Sequence, residues 1–180
     1  MVRIEEDKKP MKYEYGCVML YFDFPAIYKI QDAINPKHLY EEDDDDSFGL
    51  EDNPHTTLLF GLHENVTTKQ VKEILDKYIF GKCTVDTPSL FENENYDVFK
   101  FDVLGNTIFE CNEELRTLPH TSDYPEYHPH LTIAYLQKGY GDKYVRMLED
   151  NKGFSFKVMP KYAVYSMANG VKIQIPIKFG

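Results

Sequence analysis

The sequence predicts an α+β fold with mostly antiparallel sheet, in two similar lobes that face each other. Three observations predict it. Short β-branched and aromatic stretches alternate with only a few amphipathic helical stretches over 180 residues. A His-x-Thr strand with a helix after it occurs twice, at His55 and at His130. The chain closes on strands joined at Ala168-Asn169-Gly170, a strong hairpin signal.

Taken in order, residues 1–11 read as a flexible tail and 12–180 as one domain. Residues 12–24 are strand-like and are stopped by Pro25. Residues 26–34 carry Ile27, Ile30 and Ile34 at helical spacing, and Asn35-Pro36 ends that helix. An acidic loop follows at 41–53, opening on six consecutive acids, Glu41 to Asp46, which read as a solvated segment. Residues 55–61 form a strand. Residues 67–80 form the clearest helix, capped by Thr67 or Thr68, with an apolar stripe of Val71, Ile74, Leu75, Tyr78 and Ile79. Strands at 82–91 and 96–104, a helix at 106–118 and a Pro- and His-rich loop at 119–129 lead to the strand 130–136. A helix at 141–150 and strands at 154–159, 161–167 and 171–178 complete the chain.

Composition narrows the function. An apolar share of 42% supports a packed core. A net charge of −10 and the lack of a long Lys/Arg stripe argue against long duplex nucleic acid and for a small nucleotide or a short oligonucleotide end. Cys17, Cys83 and Cys111 are odd in number and widely spaced, which reads as reduced thiols in a cytoplasmic protein. The start of the chain lacks a signal-peptide core, and the longest apolar run, Cys17 to Phe22, is far too short to cross a bilayer. No membrane partner and no cofactor are called for, and a monomer is expected.

The chemistry rests on His55-Thr56-Thr57 and His130-Leu131-Thr132. Residues i and i+2 of a strand share a face, so each strand presents one imidazole and one hydroxyl, with Thr56, Leu58 and Phe60, or Leu131, Ile133 and Tyr135, directed to the other side. One His-x-Thr carries little information. Two among six His arise by chance roughly 4% of the time, so the pair, not either copy, carries the reading. If the strands lie together, one neutral imidazole serves as general base and the other, protonated, as general acid. The Thr57 and Thr132 hydroxyls then bond the non-bridging oxygens as charge builds. That set suits phosphodiester cleavage without a metal. A metal pair at His128 and His130 lacks an evident third ligand, and Pro129 disturbs its strand. Tyr15 and Tyr21 share a face of the first strand with Tyr13, Cys17 and Met19, and could stack on a base. Tyr127, with Tyr124, precedes the second motif and could cover substrate. Lys161, Lys172, Arg116 and Lys138 each could supply a phosphate cation.

With these motifs in place, the chain resembles the 2H phosphoesterases, also called 2′-5′ RNA ligase-like or LigT-like proteins. The resemblance spans roughly residues 12–178, and its specific part is His55 to Phe60 and His130 to Tyr135. It implies two lobes with a groove between their sheets, His55 and His130 as acid and base, and Thr57 and Thr132 as phosphate ligands. It implies substrates such as 2′,3′-cyclic phosphates, 2′-5′ oligoadenylates, RNA 3′ ends or cyclic oligonucleotide signals, the last a target of some phage members. A non-catalytic nucleotide-binding or sequestering protein would use the same groove, and an interaction protein would use the acidic loop.

Overall fold

The structure, a computed structural model, describes residues 2–4, 13–150 and 155–180. Strict alternation makes β2 (Gly16–Asp23) two-faced. Val18, Leu20 and Phe22 are buried, while Cys17, Met19 and Tyr21 turn to the opposite, half-buried face. β2 pairs antiparallel with β3 (His55–Leu62) on one side and with the long strand β8 (Ser155–Ser166) on the other. β8 pairs onward with β9 (Lys172–Ile175), and β9 with β1 (Val2–Ile4). A second group, β5 (Cys83–Glu92), β6 (Tyr96–Leu104) and β7 (His130–Gln137), forms an antiparallel meander that joins the first residues of β8 through β5. Thus β8 is common to both halves of one sheet, and the motif strands β3 and β7 end the two halves and approach each other in space. A two-stranded parallel pair, β4 (Ile79–Phe80) with β10 (Lys178–Phe179), stands apart.

The helices are exchanged between the halves. α1 (Ile27–Asp32) precedes β3 in the chain but packs on β7, and α3 (Asn106–Leu115) precedes β7 but packs on β3. α2 (Thr68–Leu75) lies against α3, and α4 (Gly141–Glu149) against β5 and β6. Thr67 caps α2 as expected, in a reciprocal capping box with Gln70. No helix among the described residues is long and apolar enough to cross a membrane.

Several boundaries differ from the sequence expectation. The helix expected over 67–80 stops at Leu75, because Ile79 and Phe80 pair with Lys178 and Phe179. The strands expected at 154–159 and 161–167 are one strand. Pro160 lacks a donor and sits at a register shift against Phe22, where no ladder bond is lost. The last strand breaks after Ile175, before Pro176. At the start, Val2–Ile4 pair with β9 where a loose tail was expected; the rest of that tail, like residue 154, lies outside the described residues.

Both motif strands share one irregularity. Register runs from Met19 opposite Thr57 to Val18 opposite Leu59, so Leu58 is an extra residue. It runs from Lys100 opposite Thr132 to Phe99 opposite Ala134, so Ile133 is extra. Each β-bulge directly follows the motif threonine and inverts the alternation beyond it. Phe60 is therefore 55% exposed with Leu59 buried, and Tyr135 is only half-buried with Ala134 and Leu136 buried, against the simple period-two reading. The bulge carbonyls are met by buried carboxamides from the exchanged helices. Asn112 of α3 donates to the Leu58 carbonyl at 2.6 Å, and Gln31 of α1 donates to the Ile133 carbonyl at 3.1 Å. Gln31 also donates to the Glu51 carbonyl at 2.8 Å. A buried acceptor stripped of its donor carries a desolvation cost. Asn112→Leu, which leaves the Leu58 carbonyl without this donor, and Gln31→Leu, which leaves the Glu51 carbonyl without one while the Ile133 carbonyl keeps the Glu51 amide at 3.0 Å, should therefore each lower the unfolding free energy by about 1–3 kcal/mol in urea titrations. Parent-like stability in both would show that the bulges do not depend on these amides.

Candidate active site

The repeat in the sequence is longer than His-x-Thr: it is Pro-His-x-Thr, at Pro54–Thr57 and Pro129–Thr132. Both prolines are buried and have no N–H to offer a ladder. Their carbonyls still accept from the neighbouring strand, Pro54 from the Phe22 amide at 2.9 Å and Pro129 from the Val103 amide at 3.0 Å. Each following histidine turns Nδ1 back to the carbonyl two residues earlier: His55 to Asn53 at 2.8 Å and His130 to His128 at 3.2 Å. A carbonyl only accepts, so Nδ1 carries the proton in both rings and Nε2 is left for proton exchange. In both motifs the histidine and the threonine two residues on are half-buried, and the residue between them, Thr56 or Leu131, is fully buried.

The surroundings are less symmetric. Opposite His55 on β2 stands Tyr21, whose ring stacks on the imidazole at 5.0 Å between centroids; Tyr162 of β8 stacks on Tyr21 at 5.5 Å. Beside His55, the Glu51 carboxylate lies 3.8 Å from Nδ1. Glu51 belongs to a segment laid along the free edge of β7: its amide donates to the Ile133 carbonyl at 3.0 Å, and Leu50 bridges to Ala134. The chain thus passes from the second motif strand directly into the first. Burial pushes the Glu51 carboxyl up, and His55, the Asn53 amide and Lys172 pull it back.

Opposite His130 on β6 stands Asp102, and opposite Thr132 stands Lys100. Lys100 is only 6% exposed. Its ammonium donates to Ser89 Oγ at 2.8 Å and to Asp102 Oδ1 at 3.2 Å and lies 4.3 Å from the centroid of Phe91. Phe91 in turn meets His130 edge-on at 4.8 Å. His130 is held below the ordinary imidazole value, chiefly by burial; Lys100 and His55 push the same way, and the His128 carbonyl and Asp102 oppose them. The strands that carry the two rings, β3 and β7, lie against each other.

The structure separates the three tyrosines expected to contact substrate. Tyr21 reaches the site, but His55 and Tyr162 stack against it, so it walls the imidazole and has no ring face left for a base. Tyr15 lies at the far end of β2, stacked on His63 and edge-on to Phe60, because Gly16 pairs with Leu62 while Tyr21 pairs with His55. Tyr127 is packed against the core, its hydroxyl donating to the Thr57 carbonyl at 2.7 Å, which makes it a strut for the first motif. His128 pairs at the surface with Glu126 at 3.3 Å. Among the described residues no group of three or more His, Cys, Asp or Glu is placed to hold a metal ion. Cys17 lies beside the Thr57 hydroxyl, but burial pushes its thiol up to about 12, leaving it un-ionised and a poor nucleophile.

Of the four cations considered from sequence, Lys172 is near enough to act on Glu51. Arg116 is turned to Asn112 and the Tyr124 carbonyl, Lys138 to Asp97, and Lys161 lies over the Tyr162 ring. Lys100 and Glu51 carry no local motif and were missed. The repeated proline before each histidine was the unread signal that both rings share one setting.

The α+β architecture with a mostly antiparallel sheet agrees with the fold class read from the sequence. Solved structures place the likeness more closely. The chain matches Usb1 of Kluyveromyces marxianus with a TM-score of 0.58 and 12% identity, covering 92% of this chain and 99% of that one. It matches the same protein with uridine monophosphate at a TM-score of 0.56 and 11% identity, covering 91% and 99%. No family model and no curated protein matches the sequence. The shared property is the fold.

The ring geometry has a direct readout. In ¹⁵N-resolved NMR spectra of the neutral imidazoles, His55 and His130 should both show the proton on Nδ1. An Nε2–H tautomer in either would contradict the carbonyl contacts described above.

Proposed function

We propose that the chain is a metal-independent phosphodiesterase acting on a small nucleotide phosphodiester, with His55 and His130 as paired acid and base and Thr57 and Thr132 as ligands of the phosphate oxygens. The observation that carries this reading is the duplicated Pro-His-x-Thr unit, in which two imidazoles held the same way by Nδ1 sit on strands that pack against each other. One ring takes a proton from a water or a sugar hydroxyl as its oxygen bonds to phosphorus. The other gives its Nε2 proton to the departing oxygen as the old P–O bond breaks. The threonine hydroxyls and the nearby Lys100 offset the charge on the non-bridging oxygens.

The substrate class follows from size and charge. A chain of net charge −10 disfavours a long polyanion, and the cations near the motifs are few. Shared fold with Usb1, solved with uridine monophosphate, supports a nucleotide or the 3′ end of a short RNA; 2′-5′ linked and cyclic oligonucleotides belong to the same class.

The test is incubation in EDTA with uridine 2′,3′-cyclic phosphate, 2′-5′ oligoadenylate, a cyclic dinucleotide and a short oligouridylate, followed by chromatography. At least one should be cleaved, with a bell-shaped pH profile. His55→Ala and His130→Ala should each cost about 10²–10⁴-fold in turnover while the fold persists. Cleavage that EDTA abolishes and a divalent ion restores would overturn the metal-free mechanism. Measurable affinity without cleavage would make the protein a nucleotide binder.

A further inference from the structure

The two histidines sit in matched backbone settings but in opposite charge settings, and this difference divides their labour. We infer that His130 is the general base and His55 the general acid, with Lys100 and Glu51 as the positioning residues that fix the assignment. The inference rests on the paired-histidine reading and extends it to two residues outside the motifs.

The geometry is direct. His130 faces a lysine across β6, at the position opposite Thr132, and that lysine is almost wholly withdrawn from water. A second positive charge on the His130 ring would meet Lys100 and be poorly solvated against the edge of Phe91. Asp102 opposes this, but its side chain is 47% exposed against 7% for Lys100, so water screens the carboxylate more than the ammonium. The burial of His130 itself works in the same sense as Lys100, and the neutral ring persists to lower pH than an ordinary imidazole. A ring that stays neutral with Nε2 unprotonated accepts a proton; it has none to give there.

His55 faces no lysine across its ladder. Tyr21 stands opposite, and the carboxylate of Glu51 lies 3.8 Å from Nδ1. When His55 takes its second proton, on Nε2, the charge finds a counter-ion within the site. Asp52 and Lys172 also bear on Glu51, and His55 is the largest of the influences that pull its carboxyl down against the burial that pushes it up. The step balances as written: a 2′-hydroxyl oxygen bonds to phosphorus as its proton passes to Nε2 of His130. The bond to the leaving oxygen then breaks as that oxygen takes the Nε2 proton of His55. The products are a 2′,3′-cyclic phosphate and a free alcohol.

A pair of uridine 3′-phosphodiesters separates the roles. The methyl ester has an alkoxide leaving group that needs a proton; the 4-nitrophenyl ester leaves as a phenolate without one. His55→Ala should lose about 10²–10⁴-fold on the methyl ester yet stay within about tenfold of the parent on the aryl ester, while His130→Ala loses the same large factor on both. Glu51→Gln should follow His55→Ala in kind, slowing the methyl ester more than the aryl one. On the aryl ester activity should rise with pH through the titration of His130, and Lys100→Met should move that limb to higher pH, a shift that mere loosening of the fold would not produce. Rescue of His130→Ala by the aryl ester, equal losses in both variants on both esters, or an unmoved limb in a folded Lys100→Met protein would overturn the assignment while leaving the paired-histidine reading intact. Parent-like activity of both alanine variants on both esters, or no cleavage of either ester by the parent, would sink that reading as well.

Discussion

Each motif strand carries an extra residue directly after the motif threonine, and the site depends on how that surplus is held. A bulge leaves a carbonyl off the ladder and bends the strand. Here the carbonyls of Leu58 and Ile133 are claimed by Asn112 and Gln31, each 6% exposed or less. Because those amides come from the helix of the opposite half, each half of the molecule fixes the motif strand of the other. The exchange of α1 and α3 is thus part of how two distant stretches of chain hold one site in register.

The same duplication governs the rings. Proline before histidine removes an amide donor, and the imidazole takes the carbonyl two residues back as its acceptor. Both rings then have Nδ1 occupied and Nε2 available, the tautomer that proton transfer on a shared phosphate requires. Around this symmetric frame the charges are arranged unequally: a buried ammonium on the His130 side and a half-buried carboxylate on the His55 side. In the proposed mechanism the symmetry supplies two equivalent proton carriers and the asymmetry divides their roles.

Much of this was legible in the sequence, because it was written in local patterns. Period-two alternation in Gly16–Asp23, the Thr67 cap and Ala168-Asn169-Gly170 each have short-range causes, and the His-x-Thr pair is a spacing that can be counted. What was not legible depended on register. The bulges at Leu58 and Ile133 put Phe60 and Tyr135 on the face opposite to the one expected, since a bulge has no signature in the strand that bears it. Tyr127 was read as a substrate cover because it precedes the second motif in a loop; its hydroxyl donates to the Thr57 carbonyl. Lys100 looked like one lysine among seventeen; only its position opposite Thr132 singles it out.

The central claim is that both imidazoles address one phosphate from opposite sides. A crystal structure of the protein with uridine vanadate tests it most directly. The account predicts the vanadate between Nε2 of His55 and Nε2 of His130, with the Thr57 and Thr132 hydroxyls on its equatorial oxygens. Vanadate bound away from either ring, or contacted by only one of the two motif strands, would contradict it.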